Sequence, residues 1–376
     1  MLCCGFNRKN SRCEVQTDGL LKKEISDGKK YLRIGPIRLP YQTNRTAEIR
    51  KVMIGPFTFF YRYEEDSGLV YVRLLWWEIP IRAANPSRRL EHYKLRDQLD
   101  TALCEDILCR ELTPLLGYVP DLKNPRTFNE KINWLKLHHH DPLITTCCDK
   151  YALKQYASDI IGAQYTLPVL GAWKNGNEID FDSLPNQFAL KVNWSSGFNI
   201  IVKDKSKLDL SAVRQQIDKW MEPRRNSYYD TFNWGYLNMQ PVAFAEPYIE
   251  QTNGQVYDYK FYYSNGEFIY MFIATERTTD KSLTYTFFDN QFRHLPFTYG
   301  NKPNADPIPA MPHNLKKMVE LGKKLAEPFP FVRVDFYEIN ECEFYLGEMT
   351  FYSGGGTLPF NPVEWDAKLG ENINIK

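Results

Sequence analysis

The sequence predicts an α+β fold in which antiparallel hairpins carry the chemically interesting residues. Residues 28–90 contain three β-rich runs separated by turn residues such as Gly-Pro and Asp-Ser-Gly. Residues 91–164 place apolar side chains at three- and four-residue intervals, which is typical of amphipathic helices. Residues 165–376 mix strands and helices without the helix–strand alternation of a parallel sheet. We therefore expect a β-rich accessory region, a helical region and an α+β catalytic domain, in that order.

Length, charge and hydropathy restrict the classes of function. The chain of 376 residues is longer than one hydrophobic core usually supports. Residues 1–27 are polar and predicted to be poorly ordered. The formal net charge is +1 and no long basic run is present, which argues against binding nucleic acid or an anionic membrane by bulk charge. No run approaches the roughly 18 consecutive apolar residues of a membrane helix, and the first residues lack the apolar core of a signal peptide.

Cysteine usage indicates a reducing compartment. The eight cysteines include no CxxC pair, and no histidine lies at the spacing of a zinc site. Free thiols are the ordinary state of cysteine in the cytoplasm, so we expect a cytoplasmic protein.

The segment from Arg333 to Gly355 places two carboxylates in one predicted hairpin. Two strand-like runs meet near Asn340, and a two-residue turn there would set Arg333 opposite Glu348. Asp335 and Glu348 would then be diagonal neighbours on one face, with their backbones about 7–8 Å apart. Carboxylates this close raise each other's pKa unless a cation lies between them. The pair suits Mg²⁺, which prefers oxygen ligands, while a surface ion pair between Arg333 and Glu348 is the alternative.

Three further segments carry charged residues at the ends or centres of predicted strands. Lys191 ends a hydrophobic strand and precedes a small-residue turn, an arrangement that can neutralise and cradle phosphates. Glu246 follows another apolar strand, where a strand edge can hydrogen-bond adenine. Lys260 lies among aromatic residues in mid-strand, so Asp258 or a ligand phosphate must neutralise it. Taken singly, each of these features is ordinary, and an exposed strand end is the simpler explanation for Lys191 and for Glu246.

In this order and spacing, the segments resemble the ATP-grasp superfamily, and most closely its TupA-like family, which is named for teichuronopeptide biosynthesis. The stretches that carry the resemblance lie between residues 126 and 356, and they include RTFNEKINWLKLHHHDPLITTCCDKY, QFALKVNWSSGFNIIVKDKS, AEPYIE, DYKFYYSNGE, FPFVRVDFY and LGEMTFYSGGG. The resemblance implies an ATP-grasp fold, in which two α+β subdomains of residues 165–376 grip ATP. The helical and β-rich regions would precede it.

The resemblance also implies ATP and Mg²⁺ as cofactors and a role for each motif. The implied phosphate contacts are Lys150, Lys191 and Lys260, beneath a loop of Ser195, Ser196 and Gly197; the adenine contacts are Glu246, Tyr248 and Ile249; the catalytic residues are Arg333 and Lys260; and the metal ligands are Asp335, Glu348 and Thr350. Three positions differ from the family pattern. Trp194 stands where the family has His, Thr350 where it has Asn, and Ser353 where Pro is common.

The activity that the resemblance implies is ligation of a carboxylate to an amine through an acyl phosphate. The implied substrates are an amino acid and a uronic acid of a bacterial surface polysaccharide (capsule, O-antigen or teichuronopeptide), or a nucleotide-linked or lipid-linked precursor. Nucleic acid and an integral membrane segment are not expected, and peripheral association with polysaccharide assembly proteins is left open. Two alternatives remain: an ATP-grasp sugar or polysaccharide kinase, and a non-catalytic glycan-binding partner, which the aromatic residues of 28–90 would suit.

Overall fold

A computed structural model describes residues 99–194, 197–221, 228, 231–249, 257–275, 283–339 and 343–375, together with the backbone of six strands before residue 99. The contacts divide the chain into two compact units, Met1–His92 and Tyr93–Lys376. Within the described part of the chain, no helix is long and apolar enough to cross a membrane.

The first unit contains one antiparallel sheet with the strand order β2-β1-β6-β5-β4-β3. Its strands are β1 (Leu2–Asn7), β2 (Arg12–Glu14), β3 (Leu32–Arg33), β4 (Ile49–Ile54), β5 (Phe57–Glu64) and β6 (Leu69–Leu75). Strands β3 to β6 fall within residues 28–90, where the sequence predicts β structure. The division of the chain into four regions stays a prediction.

The described part of the second unit opens with the helices α1 (Thr101–Leu116), α2 (Phe128–His138), α3 (Pro142–Cys148) and α4 (Ala152–Ile161). Helix α2 begins with the capping box that its sequence predicts. The Thr127 side chain accepts a hydrogen bond from the backbone of Glu130, and the Glu130 carboxylate accepts one from the backbone of Thr127. Helix α3 leads directly into α4, which places Asp149 and Lys150 at the junction of the two helices.

A four-stranded antiparallel sheet follows, with the order β7-β10-β8-β9. Its strands are β7 (Gly171–Trp173), β8 (Phe188–Val192), β9 (Asn199–Val202) and β10 (Ala243–Pro247), and α5 (Leu210–Met221) packs on β8. Apolar alternation buries one side of β8, through residues such as Leu190 and Val192. Lys191 lies between these two residues, so its side chain leaves the opposite face.

The last sheet has six antiparallel strands in the order β14-β13-β12-β11-β16-β17. The strands are β11 (Asp258–Ser264), β12 (Glu267–Thr275), β13 (Thr284–Asp289), β14 (His294–Leu295), β16 (Val332–Ile339) and β17 (Glu343–Thr350); β15 (Thr298–Tyr299) pairs with β18 (Phe360–Asn361), and the helices are α6 (Leu315–Ala326) and α7 (Glu364–Glu371). Helix α6 buries Met318, Leu321 and Leu325 against this sheet, as its amphipathic pattern predicts.

The predicted register of the β16–β17 hairpin is wrong. Three residues, not two, connect the strands, because Ile339 pairs with Glu343. A bulge at Gly347 then shifts the register by one further residue, so that Asp335 pairs directly with Glu348 and Arg333 is opposite Thr350. The bulge also explains the burial pattern. Because Gly347 is an additional residue in β17, the core side of the strand changes from even-numbered to odd-numbered residues at this point.

Candidate active site

The centre of the candidate site is the carboxylate pair on β16 and β17. Asp335 and Glu348 are direct cross-strand partners, which brings them closer than the diagonal arrangement expected from the sequence. Asp335 is 3% exposed, whereas the Glu348 side chain retains 34% of its surface. Glu348 is therefore the carboxylate that a ligand from solvent can reach, and Asp335 lies beneath it.

The guanidinium of Arg333 contacts both carboxylates, Asp335 and Glu348. Its Nε and Nη2 atoms donate to the two oxygens of Asp335 at 2.6 and 2.7 Å, which is a bidentate ion pair. Nη2 also lies 3.0 Å from Glu348 Oε1 and 2.9 Å from the Thr350 hydroxyl. Nη1 donates to the Ser353 hydroxyl at 3.3 Å. The guanidinium thus fixes both carboxylates and the turn that follows β17.

Lys260 adds a second cation from the neighbouring strand. It pairs with Asp335 across β11 and β16, and its ammonium contacts the Asp335 carboxylate directly. Asp258 Oδ2 lies 3.2 Å from the same nitrogen. The expectation that a mid-strand lysine needs an anion is met by both aspartates. A nucleotide phosphate could bind Lys260 only by competing with these carboxylates.

The electrostatics of the cluster keep Glu348 ionised. Burial alone would raise the pKa of Glu348, but Lys260, Lys150 and Arg333 outweigh that effect and hold the pKa below its usual range. Lys150 comes from the junction of α3 and α4, so cations from different parts of the chain act on one carboxylate. Burial lowers the pKa of the Lys150 ammonium, and the nearby negative charge of Glu348 partly opposes this shift.

Asp149 fixes the position of the adjacent Lys150. Its side chain accepts hydrogen bonds from the first turn of α4, including one of 3.0 Å from the backbone of Ala152. The amide of Asn193 donates to the other Asp149 oxygen at 2.6 Å, and the backbone of Lys150 donates to the Asn193 carbonyl at 2.9 Å. Asn193 lies just after β8. These contacts tie the predicted Asp-Lys motif to the strand that carries Lys191.

A second ion-pair cluster lies on the four-stranded sheet. Glu246 on β10 is 4% exposed, and its two oxygens contact different lysines: Oε2 contacts Lys191, and Oε1 contacts Lys154. The sequence motifs identify Glu246 and Lys191 but miss Lys154. The one available signal is spacing, because Lys154 follows Lys150 by four residues, which is one turn of the helix that the sequence predicts there.

The predicted loop and adenine contacts are only partly within the described structure. Ser195 and Ser196 lie outside the described residues. Gly197 has a φ of 79°, a left-handed conformation that favours glycine. Tyr248 and Ile249 follow β10 directly, and the Lys203 ammonium lies 5.5 Å from the centre of the Tyr248 ring. Their contact with adenine stays a prediction.

Helix α2 supplies two residues that sequence reasoning missed. Lys136 donates to the carbonyl of Gly355 at 2.6 Å, and Asn133 donates to that of Gly356 at 2.8 Å. Both side chains are almost fully buried. Gly356 has a φ of 62°, and a Cβ there would collide with the Asn133 amide. The turn Ser353–Gly356, immediately after β17, is therefore held by a helix more than 200 residues away in sequence.

The donor set at β16 and β17 fits Mg²⁺. Asp335 and Glu348 offer oxygen ligands from adjacent strands, and Mg²⁺ commonly takes one or two carboxylates together with substrate phosphates and water. Within the described ranges, no group of three His, Cys, Asp or Glu side chains is placed to hold a metal ion. The Thr350 hydroxyl donates to Glu348 Oε1 at 3.4 Å and thereby orients it. A direct metal contact by Thr350 stays a prediction.

The depressed pKa of Glu348 predicts how stability depends on pH. A carboxylate with a lowered folded-state pKa stabilises the fold fully above its unfolded pKa, and this contribution is lost as the pH falls toward the folded value. With a reference pKa of 4.5 for glutamate, we expect the free energy of unfolding to fall below that pH. Urea titrations at descending pH should show a shallower fall for Glu348→Gln than for the wild type. Equal slopes would show that Glu348 is not held ionised by its neighbours.

Comparison with known proteins places these features in a family. The family model described as TupA-like ATP-grasp matches residues 130–374, which is more than half of the 376-residue chain. The match begins in α2 and includes every predicted site residue. No curated protein matches the sequence.

Solved structures of ATP-grasp ligases are distantly similar. D-Alanine–D-alanine ligase from Bacillus anthracis, complexed with ATP, is 13% identical with a TM-score of 0.35, and the match covers 56% of this chain and 57% of that one. The Helicobacter pylori enzyme of the same name is 18% identical with a TM-score of 0.34, covering 61% and 60%. The ATP-grasp ligase PsnB, complexed with a minimal precursor, Mg and ADP, is 9% identical with a TM-score of 0.33, covering 60% and 58%.

The chain therefore spans about two fifths to three fifths of the length of the first solved structures that it matches. Because the identities and TM-scores of these solved structures are low, the assignment of this chain to a family rests on the family model. That match confirms the predicted α+β ATP-grasp fold and the TupA-like relationship.

Proposed function

The chain belongs to the TupA-like ATP-grasp family, and on this basis we propose that it is an ATP- and Mg²⁺-dependent ligase that joins a carboxylate to an amine. The observation that carries the proposal is the convergence of Lys150, Lys260 and Arg333 on the carboxylates of Asp335 and Glu348. This cluster matches the charges of a metal-bound triphosphate, with oxygen ligands for the metal and cations for the phosphates.

The reaction proceeds in two steps that balance without an additional reactant. An oxygen of the substrate carboxylate attacks the γ-phosphorus of ATP, the bond to the β-phosphate oxygen breaks, and ADP leaves. The amine nitrogen then attacks the carbonyl carbon of the acyl phosphate. The C–O bond breaks, inorganic phosphate leaves with that oxygen, and the nitrogen loses a proton as the amide forms. Each step transfers negative charge between oxygens, so fixed cations can accelerate both.

Each charged residue of the cluster has a proposed role that follows from its position. Asp335 and Glu348 would hold Mg²⁺, which when bound offsets the charge of the β- and γ-phosphates. Lys260 lies beside them and can exchange its contact with Asp335 for a phosphate oxygen. Arg333 holds the two carboxylates together and would lie next to the transferred phosphate. Catalysis then depends on positioning and charge, and it requires no covalent enzyme intermediate.

The cysteines nearest the site are unsuited to act as nucleophiles. Cys147 and Cys148 end helix α3, next to the Asp149–Lys150 motif, and both are buried. Burial raises the pKa of each thiol, so neither forms the reactive thiolate near neutral pH. This supports a mechanism in which ATP, not a side chain, activates the carboxylate.

For the substrates, we propose an amino acid as the amine and a uronic acid of a bacterial surface polysaccharide, or its nucleotide-linked or lipid-linked precursor, as the carboxylate. The support is the resemblance to the family named for teichuronopeptide biosynthesis. The proposed compartment is the cytoplasm, where ATP is supplied.

An ADP-release screen tests this function. Purified protein with Mg²⁺ and ATP is offered uronic acids paired with amino acids, and products are identified by mass spectrometry. We expect ADP and inorganic phosphate in equal amounts, together with an amide, only when both substrates are present. A stable phosphorylated sugar without an amine requirement would instead indicate a kinase. No ADP release and no thermal stabilisation by Mg²⁺-ATP would indicate a non-catalytic glycan-binding protein; a ligand at 100 times its Kd should stabilise the fold by about 2.7 kcal/mol.

A further inference from the structure

Lys154 is a partly buried cation that none of the family motifs identifies. It lies on α4, one turn after Lys150, and its ammonium contacts Glu246 Oε1. The same nitrogen donates to the backbone carbonyl of Leu167 at 2.9 Å. Lys191 contacts the other oxygen of Glu246. One buried carboxylate is thus shared by two lysines from different elements.

The two lysines are not equivalent. The Lys154 side chain is 15% exposed and has two anchors, Glu246 and the carbonyl of Leu167. The Lys191 side chain is 30% exposed, and in the part of the chain that the structure describes it hydrogen-bonds to Glu246 alone. Lys191 also lies beside the small-residue turn that the sequence assigns to phosphate binding. If one lysine must leave Glu246 when a nucleotide binds, Lys191 can do so at the lower cost.

If Lys191 leaves Glu246, Lys154 is the cation that remains in contact with this carboxylate. Glu246 is 4% exposed, and a buried carboxylate without a cation takes up a proton instead of staying charged. The charged and titratable groups around it are Lys154 on α4, Lys191 on β8, Lys150 before α4 and Tyr337 on β16. Burial raises the pKa of Tyr337, so it stays neutral and cannot replace a cation. Lys150 is assigned to the phosphates together with Lys191.

We propose that Lys154 is a positioning residue for nucleotide binding. It keeps Glu246 ionised and in place while Lys191 exchanges between this carboxylate and the phosphates of the nucleotide. An ionised Glu246 can accept hydrogen bonds from the hydroxyl or amino groups of a nucleoside, whereas a protonated one offers a weaker acceptor. The inference rests on the proposed function, because it requires a nucleotide that attracts Lys191.

Proton uptake on nucleotide binding tests this role. The non-hydrolysable β,γ-methylene analogue of ATP is titrated calorimetrically with Mg²⁺ into the wild type and into Lys154→Met, in buffers of different ionisation enthalpy. At about pH 7, we expect Lys154→Met to take up about one more proton per nucleotide than the wild type. We also expect its affinity to be about tenfold lower. A lysine that only supports packing would change stability without changing the proton count.

Matched variants identify the titrating group. Lys154→Arg retains the charge and should take up protons like the wild type. The double variant Lys154→Met with Glu246→Gln removes the carboxylate and should lose the additional uptake. If Lys154→Met does not fold, Lys154→Gln supplies the same comparison, because its amide can still donate to Leu167.

The outcomes separate the inference from the proposed function. Nucleotide binding with equal proton counts in the wild type and Lys154→Met would overturn the role of Lys154 alone. Absence of nucleotide binding by the wild type would overturn the proposed function and this inference with it.

Discussion

Replacing Glu348 by Gln is expected to lower the rate of ADP release on the order of 10²- to 10³-fold while leaving the protein folded. The substitution preserves the shape of the side chain but removes the charge that faces Lys150, Lys260 and Arg333. The amide is a poor ligand for Mg²⁺, so the metal requirement should rise together with the fall in rate. Initial rates measured over a range of Mg²⁺ concentrations, with circular dichroism to confirm folding, check both effects.

Glu343 provides the matched control for this substitution. It lies on the same strand, β17, but is exposed, and its carboxylate accepts a hydrogen bond from Tyr345 at 3.1 Å. Glu343→Gln should keep the wild-type rate and Mg²⁺ dependence. Full activity of Glu348→Gln, or an equal loss in Glu343→Gln, would remove the carboxylate pair from the proposed metal site.

Replacing Arg333 by Met is expected to lower the free energy of unfolding by about 3–5 kcal/mol, because it leaves the buried Asp335 carboxylate and the partly exposed Glu348 carboxylate without their shared cation. Arg333 is 9% exposed and makes two short hydrogen bonds to Asp335. Arg333→Lys should lose part of this stability and most of the activity, because an ammonium cannot bind both carboxylates and Thr350 in one plane. Urea unfolding and ADP-release rates for both variants test these expectations.

Arg293 supplies the comparison for the loss of an arginine–aspartate pair. Its Nε lies 2.7 Å from Asp289 Oδ2, but the arginine side chain is 71% exposed. Solvent screens such a pair, so Arg293→Met should cost about 1 kcal/mol or less and leave ADP release unchanged. If Arg333→Met were as mild, the buried cluster would contribute neither to folding nor to the site.

Local patterns in the sequence were sufficient to predict which charged side chains meet on β11, β16 and β17. Asp335, Glu348 and Lys260 interrupt apolar strands, and such interruptions are costly unless the charges meet partners. The structure brings these three side chains together with Arg333, as the hairpin argument requires. The same reasoning identified Glu246 and Lys191, which pair across β8 and β10. The α+β fold and the family followed from the order of these segments.

Other contacts could not be read from one sequence, because they depend on distant segments or on single-residue irregularities. The bulge at Gly347 changes the pairing of Arg333 and Glu348, and a glycine in a strand indicates a bulge without fixing the register. Lys136 contacts the carbonyl of Gly355 from a helix 219 residues away. Lys154 contacts Glu246, which lies on a different element much later in the sequence, and no motif marks it. In α2 and α4, these lysines are indistinguishable from ordinary solvent-exposed helix residues until the tertiary structure is known.

The transfer of oxygen from substrate to phosphate tests the proposed reaction most directly. The first carboxylate that supports amine-dependent ADP release is labelled with ¹⁸O in its carboxyl group, and the inorganic phosphate is analysed by mass spectrometry. The acyl phosphate mechanism predicts one substrate oxygen in each phosphate released, because the C–O bond of the acyl phosphate breaks when the amine attacks. Amide formation that releases phosphate free of the label would contradict the proposal that this chain is an ATP-grasp ligase acting through an acyl phosphate.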